Sequence, residues 1–481
     1  MGRDHPRDIF SRFCGNFQDD QREQERIMDK PNILFISIDA LRADVLGCYG
    51  ALDGRTPNID NIAHYGFRFE QAITGGSWTQ AAFPVIFSST YASWYGGCLG
   101  PLSASRPSPV EALASHGYTT VGFSTNPHLS QKSGYGRGFQ RFFDLIPPGQ
   151  DIWLRKIRGG QRLLYQSAFH SIARLFGIDS RPPHLYVSAE DLTDRILKES
   201  EDLQGPFFLW AHYMDVHWPN HLQKSLTNPG AIAQAWKDLT HLNKVNRKGL
   251  PMSPEKLEYY KQLYRKALKY TDAQVGRLLD GLNQSNLLNN TIIILVSDHG
   301  EEFYERDRWG HVERNVYDEI IRVPLLIQLP GEQKGKIFFH QVSTLDIMPT
   351  ILDLSGIIQQ SGLQGRSLVP LWKNSEGSFM NRPAICEMRR DDWHIVAVRT
   401  PDYKYIWDSK TPHEPLLYDL RADPFEKVNI CDNYHDLHLE FQAIVDKHCR
   451  LSEETRPVGE ATQVEHDQVV IQRLRDLGYV D

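Results

Sequence analysis

Residues 291–300 read Thr-Ile-Ile-Ile-Leu-Val-Ser-Asp-His-Gly, and their pattern indicates the class of fold. Its apolar run is rich in β-branched residues and shows no polar alternation, which is typical of a strand buried on both faces of a parallel sheet. The run ends abruptly at Asp298 and His299. Open α/β sheets bind their ligands beyond the carboxyl ends of such strands. We therefore expect Asp298 and His299 to belong to a functional site.

The same pattern occurs near the start of the chain. Residues 33–38 form a second apolar run, and Asp39 follows it directly. Two buried strands that each carry an acid at the tip predict a divalent metal site shared between distant parts of the sequence. The imidazole of His299 shifts the preferred ion toward Mn²⁺ or Zn²⁺. The alternative is that Asp39 and Asp298 only cap loops or helices.

Strand-like and helix-like segments alternate through most of the chain, which predicts a parallel sheet covered by helices on both faces. Further strands are predicted at residues 67–73, 119–124, 206–212 and 323–328, and helices at residues 58–65, 110–116, 185–203, 253–282 and 345–354. Three short antiparallel strands are predicted at residues 393–399, 403–407 and 416–420. We expect a polar N-terminal extension over residues 1–30, with a short helix at 19–30. A catalytic domain over 31–380 and a smaller C-terminal subdomain with a tail over 381–481 follow.

Composition excludes some classes of function. The formal net charge of −7 argues against a nucleic-acid surface built on bulk positive charge. A basic, aromatic stretch at residues 147–183 is predicted to be an inserted, solvated surface helix. No apolar run has the length of a membrane span, and the polar residues 1–30 lack the apolar core of a secretory signal. We therefore expect a cytoplasmic protein without a membrane span.

Thr79 is a candidate nucleophile. It follows the Gly75-Gly76 pair and Trp78 and opens a helix-like segment, whose amino end favours anions. A hydroxyl needs a base or a metal to become a good nucleophile. Threonine is also a routine helix cap, and the sequence leaves that alternative open.

Histidines supply candidate acids and anion ligands. His212, Asp215 and His217 follow the predicted strand at residues 206–212, and His311 lies one loop beyond the Asp-His pair. Imidazoles at a strand end can donate a proton or bind an anion. Loop histidines are also often merely solvated.

Several motifs occur in order along the chain, at residues 32–39, 41–50, 56–60, 297–301, 309–311, 317–319, 322–325, 346–350, 363–368, 399–405 and 417–420. In this order they resemble the sulfatase family of the alkaline-phosphatase-like superfamily. The resemblance implies an α/β fold, an alkaline-phosphatase-like sandwich with a central, mostly parallel sheet flanked by helices. It also implies a small C-terminal antiparallel-sheet subdomain.

The sequence departs from the family at the nucleophile. Sulfatases convert Cys or Ser to formylglycine within a Cys/Ser-x-Pro-x-Arg motif, whereas residues 79–83 here read Thr-Gln-Ala-Ala-Phe. A threonine cannot give formylglycine. Ala40 follows Asp39 where the family has paired aspartates, and residues 124–128 replace a lysine-bearing stretch that binds sulfate. Threonine in the nucleophile place, with an Asp-His pair, instead looks like the phosphotransferase and phosphodiesterase branches.

The resemblance implies a metal-dependent hydrolase of sulfate or phosphate esters that acts on a small-molecule or glycan substrate. One divalent cation, Mn, Zn or Ca, would be held by Asp39, Asp298, His299 and Thr79. Thr79 would be the nucleophile or a metal ligand. The alternatives are a phosphotransferase of the same superfamily, or a non-catalytic binding protein that lost its activity with the formylglycine motif.

The resemblance also assigns roles to residues around the metal. His217 and His311 would be catalytic and would orient the anion or protonate the leaving group. His128, His212 and Asn126 would contact the substrate.

Overall fold

The structure is a computed structural model that describes residues 30–52, 56–97, 99–145, 186–222, 229–311, 314–331, 334–358, 361–373, 379–390 and 392–456. The short helix predicted at residues 19–30 and the inserted helix predicted at residues 147–183 lie outside these residues, apart from residue 30. Within them, no helix is both long and apolar enough to cross a bilayer.

The strands of the described residues are β1 (Asn32–Ile38), β2 (Phe67–Ile73), β3 (Thr119–Ser124), β4 (Arg141–Asp144), β5 (Phe207–Tyr213), β6 (Thr291–Ser297), β7 (Glu302–Phe303), β8 (Trp309–Gly310), β9 (Arg322–Val323), β10 (Leu325–Gln328), β11 (Lys336–Ser343), β12 (Ala384–Arg390), β13 (Trp393–Arg399), β14 (Tyr403–Asp408) and β15 (Leu416–Asp419). The helices are α1 (Pro57–His64), α2 (Thr79–Ser88), α3 (Pro109–Ser115), α4 (Ala189–Glu199), α5 (Pro229–Lys248), α6 (Pro254–Gln284), α7 (Asp318–Ile321), α8 (Ile347–Leu354) and α9 (His435–Glu454). Helices α5, α7 and α9 were not among the sequence predictions.

The central sheet has the strand order β11-β2-β10-β6-β1-β5-β3-β4, with β9 beside β2. Strand β1 lies in the middle and pairs in parallel with both β5 and β6. Strand β10 runs antiparallel to both of its neighbours, β6 and β2. The expectation of a mostly parallel sheet is therefore confirmed. The single strand predicted at 323–328 is divided at Pro324, because proline has no N–H to donate to a ladder.

The central strands are buried on both faces, as their unbroken apolar runs predicted. In β1, Leu34, Ile36 and Ile38 pack into the core on one side of the sheet. Ile33 and Phe35 point the other way into a second core. Each such side chain stabilises the fold by roughly 1.5–3 kcal/mol. This double burial fixes the strand ends, and hence the residues that follow them.

A second, antiparallel sheet of order β12-β13-β14-β15 lies toward the C-terminus, and α9 packs against it. It confirms the predicted antiparallel sheet and its three predicted strands. Strand β12 was not predicted, because Glu387 interrupts its apolar pattern. The domain boundary near residue 380 remains a prediction.

Candidate active site

The candidate site lies at the carboxyl edge of the central sheet. Asp39 follows β1, Asp298 follows β6, and Asn126 comes two residues after β3. These strands run in the same direction, so their ends meet at one edge. The first two residues are fully buried, and Asn126 is nearly so. The sheet thus brings together residues that are far apart in sequence.

The turn after β1 is held by the acid after β6. Ala40 adopts a left-handed backbone conformation with φ of 57°. Its N–H donates to Oδ1 of Asp298 at 3.1 Å, and the N–H of His299 donates to the same oxygen at 2.9 Å. Gly300 follows without room for a side chain, because a Cβ there would lie 2.1 Å from the carbonyl oxygen of Glu319. The loop after β1 and the loop after β6 are therefore fixed against each other.

Thr79 is the first residue of α2 and faces the two acid-bearing loops. Its Oγ1 lies 3.4 Å from Oδ2 of Asp39 and 3.3 Å from Nε2 of His299. The N-cap of the helix is Trp78, and no side chain makes a cap hydrogen bond. The alternative that Thr79 caps the helix is therefore wrong, and its buried hydroxyl faces Asp39 and His299.

Two tightly packed glycines aim this helix. A Cβ on Gly75 would lie 2.5 Å from the side chain of Val85, and one on Gly76 would lie 2.3 Å from the backbone of Ala81. The chain before Thr79 therefore passes directly against α2. Larger residues at either glycine would push the start of the helix away from the sheet edge.

Asp39, Asp298 and His299 fit a metal ion. Nδ1 of His299 lies 2.9 Å from the carbonyl oxygen of Gly300, which can only accept, so Nδ1 carries a proton and Nε2 is the nitrogen that a metal ion would take. Nε2 lies 3.8 Å from Oδ1 of Asp39 and 3.6 Å from Oδ2 of Asp298. Neither carboxylate oxygen has a hydrogen-bond partner among the described residues. Two such buried oxygens beside an imidazole lone pair suit a divalent cation.

The two acids differ in pKa. Burial alone raises the pKa of Asp39, but the hydrogen-bond contact with His212 and the nearby imidazoles of His217 and His299 lower it well below its ordinary value. Burial, reinforced by the charge of Asp39, raises the pKa of Asp298 to about 6. Placing two carboxylates together in the interior is costly, and a bound cation would offset this cost.

A chain of polar groups on β1 and β5 leads to Oδ2 of Asp39. Trp210 donates its indole N–H to Oγ of Ser37 at 2.9 Å, and this hydroxyl lies 2.9 Å from Nδ1 of His212. Nε2 of His212 in turn lies 3.3 Å from Oδ2 of Asp39. Asn126 donates its amide to the same oxygen at 3.0 Å. His212 and Asn126, predicted as substrate contacts, thus lie against the candidate metal ligand Asp39.

His217 and His311 lie side by side next to the metal-ligand candidates. Their ring centroids are 4.8 Å apart, and those of His299 and His311 are 4.3 Å apart. Burial lowers the pKa of His217 and lowers that of His311 well below its ordinary value. Nδ1 of His217 donates to the carbonyl oxygen of Trp218 at 2.6 Å, so the neutral ring presents Nε2 as a lone pair.

His128 joins the site through its backbone. Its N–H donates to Oδ1 of Asn126 at 3.0 Å, and its side chain is buried. The contact fixes the amide of Asn126 with its nitrogen toward Asp39. The structure therefore places all the predicted site residues in one region. His212 contacts Asp39, and His128 contacts Asn126 through its backbone.

Glu301 was not predicted as a site residue. Its Oε1 accepts the N–H of Trp218 at 3.1 Å and lies 3.5 Å from Nδ1 of His311. Burial raises its pKa well above the ordinary value. Its position directly after the Asp-His-Gly segment was the signal that could have identified it. It links the loops that carry His217 and His311.

Comparison with known proteins agrees with this architecture. The family model described as Sulfatase matches residues 31–357, and the model described as N-sulphoglucosamine sulphohydrolase, C-terminal, matches residues 308–450. An ulvan-active sulfatase of Formosa agariphila is 26% identical over 446 residues, which cover 88% of this chain and 82% of that protein.

Solved structures share the fold. A 2-O GAG sulfatase superposes with a TM-score of 0.66 at 19% identity, covering 92% of this chain and 99% of that one. A phosphonate monoester hydrolase of Agrobacterium radiobacter gives 0.66 at 22% identity, covering 89% of this chain and 96% of that one. The expected fold class is confirmed. The chain belongs to the sulfatase family of the alkaline-phosphatase-like superfamily.

Proposed function

We propose that this protein is a metal-dependent hydrolase of sulfate or phosphate esters of a small molecule or glycan, with Thr79 as the nucleophile. The observation that carries the proposal is the position of the Thr79 hydroxyl. It lies 3.4 Å from Oδ2 of Asp39 and 3.3 Å from Nε2 of His299, and it caps no helix. A buried hydroxyl held between a carboxylate and an imidazole is placed for activation.

Asp39, Asp298 and His299 would hold one divalent cation, and the oxygen of Thr79 is near enough to approach it. When bound, the cation would polarise the ester oxyanion and lower the pKa of a coordinated hydroxyl. The family relationship makes sulfate and phosphate esters the first substrates to consider. Mn, Zn and Ca are the candidate ions.

The chain's own residues account for the proton movements. Asp39 orients the Thr79 hydroxyl through the contact at its Oδ2 and passes the Thr79 proton on to water, because a carboxyl group with so low a pKa does not keep it. The Thr79 oxygen then bonds to sulfur or phosphorus while the bond to the leaving alcohol breaks. His217 or His311 donates a proton to that alcohol, because the negative charge of a bound ester favours the protonated imidazole. Water subsequently hydrolyses the ester formed on Thr79.

The route differs from that of sulfatases that use formylglycine. Their modified residue derives from Cys or Ser, and residues 79–83 of this chain contain neither that residue nor the Pro and Arg of the motif. Threonine keeps a hydroxyl nucleophile in the same place. We therefore propose direct attack by an unmodified side chain.

An activity screen tests the proposal. The purified protein is assayed with aryl sulfates, phosphate monoesters and phosphodiesters, each with Mn²⁺, Zn²⁺ or Ca²⁺. We expect turnover of at least one ester class that disappears with a chelator and returns with one of these metals. Asp298→Asn is the matched variant and should be inactive with every ion. Turnover of no ester with any metal would instead support a binding protein.

A further inference from the structure

A second group of metal-ligand side chains lies away from the candidate active site. Glu387 on β12, His394 on β13 and His448 on α9 converge, and all three are buried. Oε2 of Glu387 lies 2.7 Å from Nε2 of His394 and 2.9 Å from Nε2 of His448. Three structural elements thus bring one carboxylate oxygen and two imidazole nitrogens within 4.8 Å of one another.

The surroundings fix the two imidazoles. The ring of Tyr91 lies edge-on to His448 with centroids 4.8 Å apart, and Trp94 lies 6.1 Å away. On the far side of His394, Nδ1 lies 3.8 Å from Sγ of Cys449. Both histidines therefore offer the same nitrogen, Nε2, from rings whose orientation is set by packing. Because the rings are already oriented, less side-chain conformational entropy is lost when a metal ion binds.

Glu387 also connects this group to the segment that carries Thr79. Its backbone N–H donates to the carbonyl oxygen of Gly75 at 3.1 Å. Its Oε1 accepts the N–H of Ser93 at 2.8 Å. Gly75 precedes α2 and Ser93 follows it, so Glu387 holds both ends of the segment. An ion that fixed Glu387 would fix this segment too.

We propose that Glu387, His394 and His448 bind a Zn²⁺ ion that joins the C-terminal sheet and α9 to the segment around Thr79. Two imidazole nitrogens and one carboxylate oxygen form a ligand set that zinc accepts, with water as the fourth ligand. On binding, each ring carries its proton on Nδ1 instead of Nε2, so that both Nε2 lone pairs and the carboxylate bond the ion in place of the hydrogen bonds to Oε2. The carboxylate offsets part of the charge of the cation.

A glutamine substitution separates metal binding from hydrogen bonding. In His448→Gln, the amide nitrogen can replace the Nε2–H donor to Glu387 but is a poor zinc ligand. His435→Gln is the matched control, since it makes the same change at an exposed position of the same helix. Each protein is equilibrated with Zn²⁺ and dialysed, and its zinc content is determined by elemental analysis. We expect His448→Gln to contain one equivalent less than the wild type, and His435→Gln to contain the same amount.

Equal zinc contents in the wild type and folded His448→Gln would overturn the proposal. Should His448→Gln fail to fold, the Asp298→Asn, His299→Ala double variant decides, because it lacks the candidate catalytic ligands but retains this group. It should still bind one equivalent of zinc, and zinc should raise its Tm. A double variant that binds no zinc would show that the group is only a hydrogen-bonded cluster. Neither result depends on catalytic activity.

Discussion

Thr79 and His299 face each other across the carboxyl edge of the central sheet, with Oγ1 of Thr79 3.3 Å from Nε2 of His299. The two residues are 220 positions apart in sequence, and the parallel pairing of β1 with β6 brings the loop of His299 beside Asp39, which the Thr79 hydroxyl also contacts. The Nδ1 proton donated to Gly300 leaves Nε2 free to face either a metal or the hydroxyl. This geometry underlies the proposed chemistry.

The metal site is tested by removing its ligands. Asp298→Asn combined with His299→Ala should abolish metal binding at this site, because these residues contribute an unpartnered carboxylate oxygen and an imidazole lone pair. The protein should remain folded, since the surrounding strands are held by apolar packing. The protein is loaded with Mn²⁺, because this ion prefers oxygen ligands and therefore favours this site over the group of Glu387, His394 and His448. Elemental analysis then measures the Mn²⁺ content. Unchanged Mn²⁺ occupancy would remove both residues from the site.

The nucleophile should stay unmodified. The oxidation to formylglycine needs a thiol or a primary alcohol, and Thr79 offers a secondary alcohol outside the required motif. Mass spectrometry of the peptide that contains Thr79, after co-expression with formylglycine-generating enzyme, should show no change in mass. A sulfatase peptide with the complete motif is the positive control. An aldehyde at Thr79 would contradict direct attack by threonine.

The imidazole pair is tested through the leaving group. His311→Gln removes a proton donor, which should slow the hydrolysis of alkyl esters by about 10²-fold. Nitrophenyl esters should be affected far less, because their leaving groups depart without a proton. The ratio of kcat/KM for the two substrates is the measurement. Equal losses on both would assign His311 to anion binding.

Stability toward acid should depend on Asp318. Burial alone raises the pKa of Asp318, but the charges of Lys404 and Arg399 hold it well below its ordinary value of 3.8. A carboxyl group whose pKa is lower in the folded state stabilises the fold at pH values above its unfolded-state pKa. This stabilisation is lost as the pH falls from the unfolded-state pKa through the folded-state pKa. Lys404 is fully buried, 2.6 Å from Asp318, so the pair is poorly screened.

Asp318→Asn should therefore lower the free energy of unfolding at pH 7 by about 1–3 kcal/mol. The difference from the wild type should shrink as the pH falls below 4. Thermal unfolding across this range measures it. Asp392→Asn, at an exposed ion pair with Lys410, is the control and should leave Tm unchanged. A constant difference at every pH would exclude the charge of Asp318 as the cause.

The sequence predicted those site residues that directly follow a buried apolar strand. Asp39 and Asp298 were recognisable because an unbroken apolar run ends directly at each of them. Local pattern says less about direction of pairing, so the antiparallel course of β10 was not visible. The group of Glu387, His394 and His448 was also missed, because the three lie on separate elements and only tertiary packing unites them.

The role of Thr79 could be only half predicted. Its place after two glycines and at the start of a helix was evident, but a cap and a nucleophile occupy similar places in sequence. The choice depends on which atoms face the hydroxyl. Those atoms belong to Asp39 and His299, which approach only when the sheet is formed.

Turnover by variants of Thr79 shows whether this residue is the nucleophile. On the best ester found in the screen, Thr79→Ala should lose on the order of 10³-fold or more in kcat, because the covalent route is gone. Thr79→Ser should retain measurable turnover, since a primary hydroxyl can occupy nearly the same place between Asp39 and His299. A Thr79→Ala protein with full activity would contradict the assignment of Thr79 as the nucleophile.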